Sequence, residues 1–161
     1  MKRSIYTTVS VLALLSAAPA VAQSNNSTVT QAGSTQTASV TQSGSGGQSN
    51  VDQDGSLHDA TLNQSGTGNG SNVKQRGINN GALVTQAGTS NQSGVDQSGD
   101  DNVATVDQSG SGNASNFLQG GNDGIANVTQ AGNGDSALVI QSGDLQQAYV
   151  NQGAGSSNSD A

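Results

Sequence analysis

The stretch that decides the fold is residues 75–108, which read QRGINNGALVTQAGTSNQSGVDQSGDDNVATVDQ. Gln stands at every eleventh position of this stretch, beginning with Gln75 and ending with Gln108. Gly follows two residues after a Gln, Val precedes the next Gln by two residues, and a small residue precedes it by four. A polar low-complexity sequence has no reason to keep such a register, so the pattern predicts a repeated structural unit.

The same order extends on both sides of this stretch with no insertion. The glutamines form a predicted stacking ladder, and they are Gln31, Gln42, Gln53, Gln64, Gln75, Gln86, Gln97, Gln108, Gln119, Gln130, Gln141 and Gln152. The apolar residues two positions earlier form the predicted core, and they are Val29, Val40, Val51, Leu62, Val73, Val84, Val95, Val106, Phe117, Val128, Val139 and Val150. Gly stands two residues after every Gln of this ladder except Gln152, where Ala154 stands, and the small residue alternates between Ser and Ala except at Ala137. The Ser/Ala alternation doubles the period to 22 residues.

The period inside one repeat is two, because the small residue, the apolar residue and the Gln occupy alternate positions and so point to one face of a strand. An eleven-residue helical repeat is the alternative, but the regular Gly and the many Val, Thr, Asn and Ser residues oppose a helix. We therefore predict an all-β fold, a β-solenoid or parallel β-helix-like stack of about six 22-residue coils, each with two 11-residue strand-turn arcs. The turn is expected at Gln-x-Gly and the residues that follow it.

The chain divides into three segments. Residues 1–22 have the features of a secretory signal peptide, with Lys2 and Arg3 before an apolar stretch and Ala-Val-Ala before the expected cleavage after Ala22. Residues 23–152 are the predicted repeat solenoid, and residues 153–161 are a short polar tail. No segment after the signal is apolar enough to span a bilayer, so we expect the mature chain to be secreted.

Charge and cysteine content exclude several classes of function. Without the signal peptide, two basic residues remain against eleven acidic ones, a net charge of −9, which argues against a nucleic-acid partner. The chain has no cysteine, so no disulfide framework compensates for its small apolar core. The sequence offers no residue set for a nucleophilic triad, because it contains a single histidine and lacks a Gly-x-Ser-x-Gly motif. We predict neither an enzyme nor a cofactor.

Stacking coils in register places each Gln on the Gln of the next coil, so the side-chain amides form hydrogen-bonded ladders beside the apolar columns. Natural monomeric solenoids close their ends with atypical repeats, and the sequence shows regular repeats from just after the expected cleavage site to Gln152. We therefore expect the ends to template further copies, so that the chain polymerises.

Charged residues never occupy the small, apolar or Gln positions of an arc, which separates a predicted inside from a predicted outside. Lys74 and Arg76 flank Gln75, and Asp100 and Asp101 lie in a Gly-rich turn. These four residues are candidate gatekeepers that slow edge pairing. A simple solvated pair is the alternative for Lys74 and Arg76.

The repeat resembles that of the curlin family, whose pattern Gln-x-Gly-x-x-Asn-x-Ala-x-x-x-Gln is met in full at Gln75, Gly77, Asn80, Ala82 and Gln86. It is met again at Gln97, Gly99, Asn102, Ala104 and Gln108. The resemblance implies a bacterial curli-like amyloid fibre, extracellular and attached to the cell surface, that serves adhesion and the biofilm matrix. It also implies three partners: further copies of the chain, a nucleator subunit and an outer-membrane secretion pore.

Two alternatives to a major fibre subunit stay open at this point: a minor nucleator subunit of the same fibre, and a soluble secreted solenoid that binds ice or a polysaccharide through one face. The latter needs a regular outward ladder. The residues immediately before the twelve glutamines read Thr, Thr, Asp, Asn, Lys, Thr, Asp, Asp, Leu, Thr, Ile and Asn. This order shows no ladder.

Two clusters invite a metal-site interpretation. Asp52, Asp54, His58 and Asp59 carry ligand chemistry, but one histidine without a second His or Cys is a weak signal. We interpret this cluster as a solvated turn in which His58 takes the place of Asn. The segment 120–124 superficially resembles a calcium-binding nonapeptide repeat, but it occurs once in a chain of period eleven, so we interpret it as a turn.

Overall fold

The computed structural model describes residues 24–154. The predicted signal peptide and residues 155–161 of the predicted tail lie outside this part of the chain. The described part contains twelve strands and no helix, and so no helix that could span a membrane. The strands are β1 (Asn26–Ser34), β2 (Thr37–Ser45), β3 (Gln48–Ser56), β4 (Asp59–Thr67), β5 (Gly70–Ile78), β6 (Gly81–Thr89), β7 (Gln92–Asp100), β8 (Val103–Gln108), β9 (Ala114–Gln119), β10 (Ile125–Gln130), β11 (Ser136–Gln141) and β12 (Gln147–Gln152).

The strands form two parallel six-stranded sheets. Sheet A has the order β1-β3-β5-β7-β9-β11, and sheet B has the order β12-β10-β8-β6-β4-β2. Each strand pairs with the strand one coil later at a constant offset of 22 residues, so that Val73 lies beside Val95 and Gln75 beside Gln97. The predicted β-solenoid of six coils, each with two arcs, is confirmed.

The core lies between the two sheets. Strands in the middle of the stack alternate buried and exposed residues, as the period of two requires. Nine of the twelve apolar residues of the repeat are buried, from Val51 to Val139. Val29, Val40 and Val150, which belong to the end coils, are half-buried and pack against this core. The structure thus places the apolar residues in one continuous column per sheet.

The turns begin later than the sequence predicted. In β1 to β7 the strand continues three residues beyond the Gln, so that the Gly of Gln-x-Gly still pairs with a neighbouring coil. The chain then reverses at the fourth residue after each Gln, which has positive φ in all eleven turns between the described strands. Seven of these residues are not glycine, and they are Thr35, Leu57, Asn79, Ser90, Asp101, Asp123 and Leu145. Asn and Asp tolerate this conformation better than Leu or Thr.

The Gly two residues after each ladder Gln from Gln31 to Gln108 is required by stacking as well as by its backbone conformation. A Cβ atom on Gly88, whose φ is +102°, would lie 2.0 Å from the carbonyl oxygen of Gly110 in the next coil. The neighbouring atom belongs to the backbone, so it cannot move without breaking the strand pairing. The repeated Gly therefore allows the coils to approach each other at this corner.

Two glycines of β6 test this requirement as a matched pair. Gly88→Ala should lower the free energy of unfolding by on the order of 3 kcal/mol, because the new methyl meets the Gly110 carbonyl and the backbone conformation disfavours a side chain. Gly81→Ala should leave it unchanged or raise it by up to about 1 kcal/mol, since a Cβ atom there has no neighbour within 4 Å. Urea unfolding of both variants measures the difference. Equal effects would contradict the close approach of the coils.

Candidate functional site: stacked amide columns and open strand edges

The glutamine side chains form two hydrogen-bonded columns, one for each sheet. In each column the Nε2 atom of one Gln donates to the Oε1 atom of the Gln one coil later, over distances of 2.7–3.0 Å. Eight of the ten donors in these pairs are buried, from Gln53 to Gln130. A wider core would hold the sheets by apolar packing. In this narrow core, hydrogen bonds between side-chain amides take that role.

Each ladder Gln from Gln42 to Gln152 also ties the two sheets together. The second hydrogen on Nε2 reaches a backbone carbonyl at the start of the preceding strand, in the opposite sheet; for Gln97 this is the carbonyl of Gly81, at 3.0 Å. Gln97 accepts from Gln75 and donates to Gln119, so its amide group is fully satisfied although its exposure is 0%. A buried polar group in this state is stable only while every partner is present.

The columns have a direction. Each amide from Gln31 to Gln130 donates toward the C-terminal end of the stack, and the Oε1 atom of Gln31 in the first coil accepts no hydrogen bond within residues 24–154. At the other end of the sheet A column, Gln141 accepts from Gln119 and directs Nε2 to the carbonyl of Ile125. One end of this column thus offers an acceptor, and the other offers an amide donor.

A third set of inward side chains was missed by the sequence analysis. They stand five positions after a ladder Gln, in the turns, and the buried ones are Gln36, His58, Asn69, Asn80, Asn91, Asn102, Asn113 and Asp135. At the same position, Gly47 and Gly124 have no side chain and Gln146 is exposed. Asn80 is typical: its Nδ2 atom donates to the carbonyls of Arg76 and Gly99, each at 2.8 Å, and its Oδ1 atom accepts from the Asn102 amide. The side chain thus fixes its own turn and joins it to the next coil. The Asn of the curlin-type pattern was the feature of the sequence that could have indicated this inward position.

His58 is buried, with an exposure of 1%, so its interpretation as part of a solvated turn was wrong. Its Nδ1 atom accepts from the backbone amide of Asn80 at 3.3 Å, and its Nε2 atom lies 3.3 Å from the carbonyl of Asp54. An imidazole with Nδ1 as acceptor and Nε2 as donor therefore makes two of the three contacts that Asn80 makes, one to the carbonyl four residues earlier and one to the backbone amide of the next coil. His58 is held there as a structural hydrogen-bonding group.

The structure gathers no metal-ligand set from the candidate residues. Among residues 24–154, no group of three or more His, Asp or Glu side chains is arranged to hold an ion. Asp52 and Asp54 lie on β3, and Asp59 begins β4. The segment 120–124 forms the turn after β9, where the Oδ1 atom of Asn122 accepts from the Asp100 backbone amide.

The four candidate gatekeepers lie away from the open edges of the stack. Lys74 and Arg76 are on β5, in the middle of sheet A, where Lys74 lies between Asp52 and Asp96 in the strand register. Arg76 forms an ion pair of 2.9 Å with Asp96, and both side chains are about half exposed. An exposed pair of this kind contributes at most about 1 kcal/mol.

The two acidic candidates accept hydrogen bonds at the turns. Asp100 accepts from the Ile78 backbone amide at 2.9 Å, and Asp101 accepts from the Asn79 side chain at 2.5 Å. These contacts link the turns of successive coils on the outside of the stack. A gatekeeper role for these residues stays a prediction.

The stack has two open ends. Within residues 24–154, β1 and β2 have no strand on their outer sides at one end, and β11 and β12 have none at the other. Edge strands of this kind offer rows of backbone donors and acceptors to another chain. Here each open edge lies beside an apolar column and a glutamine column.

Comparison with protein families gives one match. The model described as the curlin associated repeat matches residues 77–110 and again residues 99–132. The two matches are displaced by 22 residues, which is one coil of the solenoid. No curated protein and no solved structure matches the chain.

The contribution of the glutamine column to stability can be tested by adding one negative charge on the buried side of β7 in one variant and on its outward side in another. Gln97→Glu keeps the shape of the side chain but removes both donors and places a carboxylate among buried amides, so it should lower the free energy of unfolding by on the order of 3–5 kcal/mol. Ser98→Glu adds the same charge on the outward side and should change it by less than about 0.5 kcal/mol. Chemical denaturation compares them. A Gln97→Glu variant as stable as Ser98→Glu would show that the column does not hold the coils.

Proposed function

We propose, from the premise that this chain belongs to the curlin family, that it is a structural subunit of an extracellular fibre that grows by stacking one copy on the open end of another. The observation that supports the proposal most is the match between the two ends of the stack. Each end presents two parallel strand edges, and the strands at both ends carry the same order of small, apolar and Gln residues. A copy displaced by six coils therefore continues the columns of small, apolar and Gln residues in both sheets.

The geometry of such a junction follows from the strand register. The next copy's β1 would lie on β11, and its β2 would lie on β12. Val29 would then follow Val139 in the sheet A core, and Gln31 would follow Gln141. Gln141 uses one amide hydrogen on the Ile125 carbonyl, its second would point to the Gln31 oxygen of the next copy, and so the two copies would join head to tail. Joining two N-terminal ends would oppose two acceptors and leave both without a donor.

The setting of the fibre is part of the same proposal. Residues 1–22 would direct export, and the fibre would stand on a bacterial surface, where it would serve adhesion and the biofilm matrix. A nucleator subunit and an outer-membrane secretion pore would be the partners of assembly. The support for this setting is the curlin repeat, and surface labelling of intact cells against cells lacking the pore would test it.

One prediction of this proposal concerns the fibre itself. The purified protein should assemble into fibres that give a meridional reflection near about 4.7 Å and an equatorial reflection near about 10 Å, because strands stack along the axis and two sheets face each other. Sonicated fibres added as seeds should abolish the lag phase. A folded protein that stays monomeric at high concentration, with or without seeds, would contradict the proposal and favour a soluble solenoid.

Another prediction of this proposal concerns the effect of charge on assembly. Assembly should become faster as salt rises from about 20 to 200 mM, because the acidic copies repel one another and the Debye length shortens over this range. Asp101 and Asp123 occupy the same turn position in successive coils, so they place like charges one coil apart. Asp123→Asn should shorten the lag time at low salt and reduce its salt dependence, since Asn also tolerates positive φ. Thioflavin kinetics that are independent of salt in both proteins would contradict this account.

A further inference from the structure

An exposed apolar patch lies on the outer face of sheet A near its C-terminal end. Leu118 on β9 and Leu138 and Ile140 on β11 have exposed fractions of 46%, 54% and 65%. Ile140 lies beside Leu118 in the strand register, and Leu138 lies two residues from Ile140 on the same face. These three side chains, here called the sheet A patch, therefore form one continuous apolar surface.

The patch interrupts two columns that are otherwise polar. The Leu138 position is filled by Thr28, Asn50, Asn72, Gly94 and Asn116 in the other strands of sheet A. The Leu118 and Ile140 position is filled by Thr30, Asp52, Lys74 and Asp96. The fold therefore accepts polar residues at these positions, and the stability of the stack does not explain the apolar ones.

A shallow groove lies beside the patch. Its lining includes Gly94, Ala114, Asn116, Ser136 and Leu138. The small residues of this lining leave room for side chains that project from a facing surface. The charged residues Asp52, Lys74 and Asp96 lie in the same column as Leu118 and Ile140 but in earlier coils, where Lys74 stands between the two carboxylates.

The patch is too small to hold two monomers together. Three partly exposed aliphatic side chains offer on the order of 300 Å², within the range found on ordinary monomers. A stable interface needs about 800 Å² per partner. In the proposed fibre, however, the patch recurs once in every six coils, which is roughly 29 Å along the axis. Only a partner with the same repeat can cover successive patches together, and a second fibre of this chain has that repeat.

We propose that the sheet A patch is the lateral contact between two fibres, with the patch of each subunit lying on the patch of a subunit in the neighbouring fibre. The inference rests on the proposed function, since a monomer would not use the patch. Each contact is weak, and pairing arises because many identical contacts act together along two fibres. The contact is isologous, as is usual when identical surfaces meet about a two-fold axis.

The test uses residues that the same columns already contain. Leu138→Asn and Ile140→Thr in one variant copy Asn116 and Thr30, so folding and axial stacking should be preserved. A matched control carries Val103→Thr and Ile125→Thr, which remove two neighbouring exposed apolar residues from sheet B and copy Thr37. Fibres of the purified proteins are compared by electron microscopy and by low-speed sedimentation, while diffraction and assembly kinetics report axial growth.

We expect wild-type and control fibres to pair and sediment, and fibres of the sheet A variant to remain single with unchanged diffraction. Pairing of the sheet A variant, equal loss of pairing in the control, or single wild-type fibres would overturn the inference. Dimerisation of the wild-type monomer through this face would also overturn it. If the double variant does not form fibres, Ile140→Thr alone is compared in the same way. Absence of wild-type fibres would instead be a failure of the proposed function.

Discussion

The hydrogen bond from each glutamine side chain to the glutamine one coil later is the interaction on which the rest of the structure depends. Each coil contributes only two large apolar positions to the core, so apolar burial alone cannot position the sheets. The amide bonds supply what is missing, because Gln97 joins the coils on either side and also reaches Gly81 in the opposite sheet. A shift of the register by one residue would bury the outward polar groups and break every such contact.

The period in the sequence was enough to predict the strands, the offset of 22 residues and the side chains that face inward along each strand. It was insufficient at the corners, because a period of two has meaning only while the chain is extended. Five residues after each ladder Gln the chain has turned. The side chain of Asn80 points inward there because it donates hydrogen bonds to backbone carbonyls, and strand alternation does not predict this. His58 was misinterpreted for the same reason: a polar residue in a Gly-rich segment suggests solvent, whereas this corner is buried.

The chemistry of the two outward faces could not be predicted from the order of residues along the chain. Successive arcs belong to opposite sheets, so a list of outward residues mixes two surfaces. Once separated, the residues before each Gln in sheet B are Thr41, Asn63, Thr85, Asp107, Thr129 and Asn151, whereas sheet A carries the charged column and the apolar patch. In this column of sheet B, Thr recurs only in alternate coils. The two faces therefore differ in chemistry, and the difference becomes visible only when the topology is known.

The junction between copies cannot be identical to the contact between coils within one copy. In the first eleven arcs a Gly stands two residues after the Gln, but in the twelfth the corresponding residue is Ala154. On sheet B, a Cβ atom at Gly44 would lie 1.9 Å from the carbonyl of Gly66, and the same separation would bring Ala154 against the next copy's Gly44. The corner after β12 must therefore open when another copy stacks, whereas sheet A retains Gly143 at its equivalent corner. Subunit boundaries would then be weaker than the interior coils, and growth would begin on the edge of β11, where every column continues without a steric conflict.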